Sequence, residues 1–168
     1  MFVASSITVW VEEGELCSVI VAGFENLLSQ VVISVDFMGT LTLAVKRGTC
    51  NSNMVVKVTV PEPMTYAGVT NGGRIVADKS ASSLAASRGS SISVDELEAE
   101  SATLSVSTQS AISIASGRAE SVSASVSGES EMSLGQLTAE SANVSASSHS
   151  RFSGLRAEKV RVSASSQS

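Results

Sequence analysis

Four glutamates, Glu100, Glu120, Glu140 and Glu158, recur at nearly even spacing through the second half of this 168-residue chain. If the strands that carry them stack about 4.8 Å apart, they form a carboxylate ladder that either holds a row of cations or stands in water as a charged edge. Like charges at that separation repel, so the ladder needs neutralisation or exposure. The neighbouring column reads Glu98, Arg118, Thr138, Arg156 and offers two guanidinium partners. The Asp-bearing nonapeptide of calcium-binding β-rolls is missing. The expectation is therefore a solvated, partly paired face, with no metal or cofactor assigned.

Other reactive side chains are sparse. The sole histidine, His149, lies between Ser148 and Ser150 in a Ser-rich turn, and no Gly-x-Ser-x-Gly elbow accompanies it. It reads as a solvent-exposed turn residue, not as the base of a hydrolytic site. Cys17 and Cys50 are too few and too far apart for a zinc site, and whether they form a disulfide stays open. Walker and dinucleotide-binding motifs are absent, as is any basic patch with aromatics. No catalytic, cofactor-binding or metal residue is assigned, and the chain is read as a non-enzyme.

What would position the ladder is a repeat. A phrase of about twenty residues recurs four times, beginning at Ser91, Ala111, Glu131 and Arg151, the last copy two residues shorter around the position of Gly135 and Gln136. Each copy carries Ala-Glu at Ala99, Ala119, Ala139 or Ala157, then a small/apolar alternation, then a Ser-rich corner. Period-two alternation belongs to strands, with one side inward. The inward columns are Ile92, Ile112, Met132, Phe152; Val94, Ile114, Leu134; and Leu104, Ala124, Val144, Val162. These features predict an all-β chain, a single-stranded parallel β-solenoid with 18–20 residues per coil in the C-terminal half. Its hand is expected to be right-handed, as for parallel crossovers in general. The leucine-rich spacing is absent, and in-register apolar columns argue against a disordered Ser-rich tail.

Upstream, runs at Ile7–Val11, Leu16–Ala22, Val31–Asp36, Thr40–Val45 and Met54–Val60 read as strands. Phe24–Gln30 makes a short connection, Lys46–Asn53 a polar loop, and Pro61 and Pro63 a stop. Asn71-Gly72-Gly73 is a strong turn, and an imperfect first coil is expected from near Tyr66. The chain is read as one domain, residues 1–63 irregular and strand-rich and residues 64–168 regular coils. Aromatics at 4% leave small aliphatics to fill a narrow interior. A net charge of −5 disfavours nucleic acid and anionic membranes. No apolar run reaches the roughly 18 residues of a membrane span, and no export signal is visible.

Several of these motifs resemble the head domain of auto-transporter adhesins, the GIN domain, a bacterial envelope module. Glu25-Asn-Leu-Leu28, Thr40-Leu-Thr-Leu43 and Lys57-Val-Thr-Val-Pro61 match its opening in order. Glu100-Ser-Ala-Thr-Leu-Ser-Val-Ser107 and Ser127-Gly-Glu-Ser-Glu-Met132 resemble its coil phrase. The family's Gly-rich corner is mostly Ser here, as in Ser147-Ser-His-Ser150, which raises the expectation of a different corner geometry. The resemblance implies a β-solenoid in the periplasm, outer membrane or cell surface and supplies no catalytic residues. Two functions follow as expectations. One is a non-catalytic envelope module for adhesion or spacing, with a glycan or surface protein as partner. The alternative is a self-assembling scaffold, similar to bactofilins or phage fibres, that stacks through the coil ending at Ser168. A carbohydrate-active enzyme is a distant third, because the repeats hold only Phe152 among aromatics.

Overall fold

Alternation converts into rungs. The computed structural model describes residues 1–4, 7–23, 25–45, 54–62, 64–79 and 82–165. It is a nearly all-β solenoid of about five turns, as the repeat predicts. The regular coils are β10 (Ser91–Ser107), β11 (Ala111–Ser127), β12 (Glu131–Ser133) with β13 (Gln136–Ser147), and β14 (Arg151–Ser153) with β15 (Arg156–Ser165). All pair in parallel in the predicted register: Ile92 opposite Ile112, Ile112 opposite Met132, Met132 opposite Phe152. The short last copy is trimmed at the predicted corner. Ser133 pairs with Ser153 and Thr138 with Arg156, so two residues are lost between them.

Each coil has three sides. In β10 the ladder to β11 runs over Ser91–Val94, Glu96–Ala99 and Ser101–Ser107 and skips Asp95 and Glu100, where the chain bends. Ile92, Val94, Leu97, Ala102, Leu104 and Val106 all point inward and are buried. At about 25 cal/mol per Å² of apolar surface, such columns are the main stabilising term. The last coil has no rung beyond it among the described residues: Val144 is 5% exposed, its column neighbour Val162 67%. Ser168, where sequence reading places the end of that coil, lies outside the described residues.

The N-terminal strands fall where alternation puts them: β2 (Ile7–Glu13), β3 (Ser18–Ala22), β4 (Val31–Val35), β5 (Leu41–Val45) and β6 (Met54–Val60). A short β1 (Phe2–Ala4) precedes them, and helix α1 (Glu25–Leu28) supplies one turn within the predicted connection, whose first residue, Phe24, is outside the described set. The predicted Lys46–Asn53 loop and Pro63 also lie outside it. The coil expected from near Tyr66 is β7 (Tyr66–Thr70) with β8 (Arg74–Lys79), followed by β9 (Ser83–Ser87), but it is not the first, because β1 with β2 and β5 with β6 already form parallel rungs beyond it.

The pairing order adds something that sequence reading did not reach. β1 inserts in parallel between β5 and β7, and β2 between β6 and β8. The chain therefore starts inside the stack, passes to the rungs on one side of that start, and returns as the coil on its other side. Val9, opposite both Val56 and Ile75, is fully buried. The Met1 amino group donates to the Tyr66 carbonyl at 2.6 Å, and burial holds its pKa below the ordinary value despite the opposing pull of Asp36. β3 on β6 and β4 on β5 are antiparallel and form the outer edge at this end.

The Ser-rich corners share one geometry. Asn71-Gly72, Arg88-Gly89, Thr108-Gln109, Gly128-Glu129 and Ser148-His149 all have two consecutive positive φ angles, between 55° and 76°. Within this chain Ser148 and His149, at 55° and 59°, adopt what Asn71 and Gly72 adopt at 59° and 76°. A β-branched residue in this left-handed region is strained. Thr108→Gly is expected to raise stability by about 0.5–1 kcal/mol, the relief of strain exceeding the added freedom of the unfolded chain. Urea denaturation of the two proteins side by side checks the sign, and a lower midpoint for the variant would refute it.

Candidate functional site: polar columns along the solenoid

Stacking turns each outward position into a column. The predicted column is formed: Glu98 pairs with Arg118, Arg118 with Thr138, and Thr138 with Arg156. Glu100, Glu120, Glu140 and Glu158 stand beside it at the bend the ladder skips, all exposed. Between the two lies a floor of Ala99, Ala119, Ala139 and Ala157, half-buried except for the buried Ala119. The small side chain is what makes the bend concave. Arg118, Thr138 and Arg156 form one wall, and Glu140 and Glu158 the other, of a groove of about 390 Å³. It continues past Glu120, Arg118 and Glu98 toward the N-terminal coils.

The partial ion pairing expected for the ladder is not formed among the described residues, whose ladder glutamates make no ion pair within 4.0 Å. Among the described residues the ion pairs within 4.0 Å are Lys57–Glu12 at 2.8 Å and Lys79–Glu13 at 2.9 Å, both on the N-terminal coils. Glu12 is held below its ordinary pKa chiefly by its hydrogen bond from Lys57, and Lys79 above its own by the bond to Glu13. Arg118 and Arg156 make no ion pair within 4.0 Å among the described residues. No group of three His, Cys, Asp or Glu side chains comes together as a metal site among the described residues.

The side from Ser101 onward presents hydroxyls. Thr103, Ser123 and Asn143 form one exposed column, and Ser105, Ser125 and Ser145 the next. Some bond along the axis, as in Ser121 Oγ to Ser101 Oγ at 3.2 Å and Ser87 Oγ to Thr70 Oγ1 at 3.1 Å. His149 is exposed at the tip of its corner. Cys17 is exposed, while Cys50 lies outside the described residues, so their pairing is not addressed.

Two features were overlooked in the sequence. The residue immediately after three of the corner pairs is a buried serine: Ser90, Ser110 and Ser130. Ser110 Oγ accepts the Ser90 N–H at 3.2 Å and donates to the Thr108 carbonyl at 3.1 Å; Ser130 repeats this with the Ser110 N–H and the Gly128 carbonyl. The recurrence every twenty residues was the available signal. The other feature is Trp10. Alternation in β2 turns Ile7, Val9 and Val11 inward, which forces Thr8, Trp10 and Glu12 onto the outer face.

A coiled stack of parallel rungs with polar columns and an open lateral groove defines the class of non-globular β-solenoid heads. Residues 2–168 match the family described as "Putative auto-transporter adhesin, head GIN domain", and the chain belongs to that family. Solved structures share its fold. A protein of Bacteroides fragilis titled a putative adhesin superposes with a TM-score of 0.71 at 12% identity, covering 98% of this chain and 88% of that one. One from Parabacteroides merdae with the same title gives 0.67 at 15%, covering 99% and 86%. A Parabacteroides distasonis protein titled a putative lipid binding protein gives 0.60 at 15%, covering 98% and 87%. No curated protein is significantly similar in sequence. No helix among the described residues is long and apolar enough to cross a membrane.

Proposed function

We propose that this chain is a single-domain, non-catalytic binding module of the bacterial envelope, placed in the periplasm or at the outer membrane or cell surface, which holds a glycan or a surface protein along its lateral groove. The observation that carries the reading is the register itself. Arg118 and Arg156 stand two rungs apart, about 9.6 Å along the axis, opposite a carboxylate row over an alanine floor. A groove with donors on one wall and acceptors on the other suits an extended polar partner. The adhesin names within the family support the module reading and lend none to the self-assembling alternative.

Arg118→Ala/Arg156→Ala removes both guanidinium groups from an exposed wall. It is expected to weaken retention of surface glycans or surface proteins by about ten-fold while the circular dichroism spectrum stays unchanged. Retention equal to that of the unmodified protein would rule out the groove.

A further inference from the structure

The only tryptophan of the chain is on the outside. Trp10 is 50% exposed in mid-strand, between the buried Val9 and Val11. A large aromatic left on a flat sheet face, away from any turn, is the informative kind of exposure. Its ring is framed by register. Lys57 of β6 lies directly opposite on one side and Val76 of β8 on the other. Thr8 and Glu12 flank it along its own strand, and Arg74 stands beside Thr8. Val55, exposed and opposite Thr8, extends the apolar floor by a rung.

The polar rim is held in place. Lys57 Nζ sits 2.8 Å from Glu12 Oε1, which also accepts from Thr59 Oγ1 at 3.3 Å; Thr59 Oγ1 accepts in turn from Ser18 Oγ at 3.2 Å. Arg74 makes no ion pair among the described residues and is exposed. The patch thus combines one flat apolar ring, donors in Lys57 and Arg74, and acceptors in Glu12 and Thr8, all on rigid strands. That set fits a ligand with a flat C–H face and hydroxyls round its edge.

We propose that the outer face of β2 is a glycan-binding site, in which Trp10 stacks on a pyranose ring while Glu12, Lys57 and Arg74 exchange hydrogen bonds with its hydroxyls. This rests on the binding-module reading above and names the partner's chemistry at a second place, separate from the corner groove. A lipid surface fits the patch less well. Insertion needs continuous apolar surface, and here it is interrupted by Lys57 directly opposite the ring, by Glu12 two residues along the strand and by Arg74 opposite Thr8.

Because there is one tryptophan, its emission reports this site alone. The full chain is titrated with oligomers of neutral hexoses, N-acetylhexosamines and hexuronates, and in parallel with phosphatidylcholine vesicles with and without anionic lipid. The expected result is a saturable emission change with at least one oligosaccharide series. Binding of that series, followed by calorimetry, should fall about ten-fold or more in Trp10→Ala and less in Trp10→Phe, with unchanged circular dichroism. An emission shift on vesicles without one on saccharides would overturn the glycan in favour of lipid. Saccharide binding that leaves the emission unchanged and survives Trp10→Ala would overturn the site but leave the module reading standing. Silence across the whole panel would overturn the glycan assignment, and the Arg118/Arg156 variant would then judge the broader reading separately.

Discussion

Alanine at position 117 is expected to cost this fold about 3 kcal/mol, by adding crowding to a backbone conformation that side chains avoid. Gly117 lies in the inward column that carries Leu97 on one rung and Leu137 on the other, both fully buried. Its φ is +153°. A Cβ there would sit 2.2 Å from the Leu97 carbonyl oxygen and 2.9 Å from the Leu97 nitrogen. These are backbone atoms, so no rotamer change relieves the clash. Relief requires β11 to move off β10, which weakens the coil-to-coil contact on which a solenoid depends. Gly89→Ala is the control: its φ of +73° is also unfavourable, but nothing lies within 4 Å of the added Cβ. That variant should lose only about 1 kcal/mol. Urea midpoints for the pair separate the two contributions, and equal midpoints would mean that the close approach at Leu97 is not felt.

Gly117 also marks the limit of what the sequence discloses. The repeat carried the register of four coils, because Ile92, Ile112, Met132 and Phe152 can share a column in only one alignment. It carried the site columns as well, since Arg118, Thr138 and Arg156 follow from the same alignment. It did not carry the places where the ladder breaks. Whether Glu100 stands on a side or at a bend depends on backbone angles that alternation does not encode. The insertion of β1 and β2 between later coils was hidden for a different reason. A strand's period shows which face is buried but not which neighbour buries it, and Val9 satisfies Val56 and Ile75 equally well. Trp10 was legible and unread: the alternation that buries Val9 and Val11 exposes it.

Ser110→Ala should also destabilise the fold, at about 1–3 kcal/mol, although serine is the commonest and plainest residue of these coils. Ser110 is 4% exposed, and its hydroxyl makes two hydrogen bonds at once. It accepts the N–H of Ser90, itself 2% exposed, and donates to the carbonyl of Thr108. Alanine fits the space but leaves the buried Ser90 N–H without its partner, at about 1–3 kcal/mol, while the Thr108 carbonyl keeps its bond from the Gly89 N–H. The left-handed pair bonds its own amides to the next rung, Thr108 N–H to the Ser127 carbonyl at 3.3 Å and Gln109 N–H to the Gly128 carbonyl at 2.8 Å, and it is the amide just after each pair that takes the next coil's serine. The outward Ser125, by contrast, is exposed, and Ser125→Ala is expected to shift the midpoint within about 0.5 kcal/mol. Two serines, identical in the sequence and fifteen residues apart, thus differ in consequence because one seals a corner and the other faces solvent. Amide exchange at Ser90 is the sharper readout. It should accelerate in Ser110→Ala and not in Ser125→Ala, and equal protection in both would show that the serine ladder does not hold the corners.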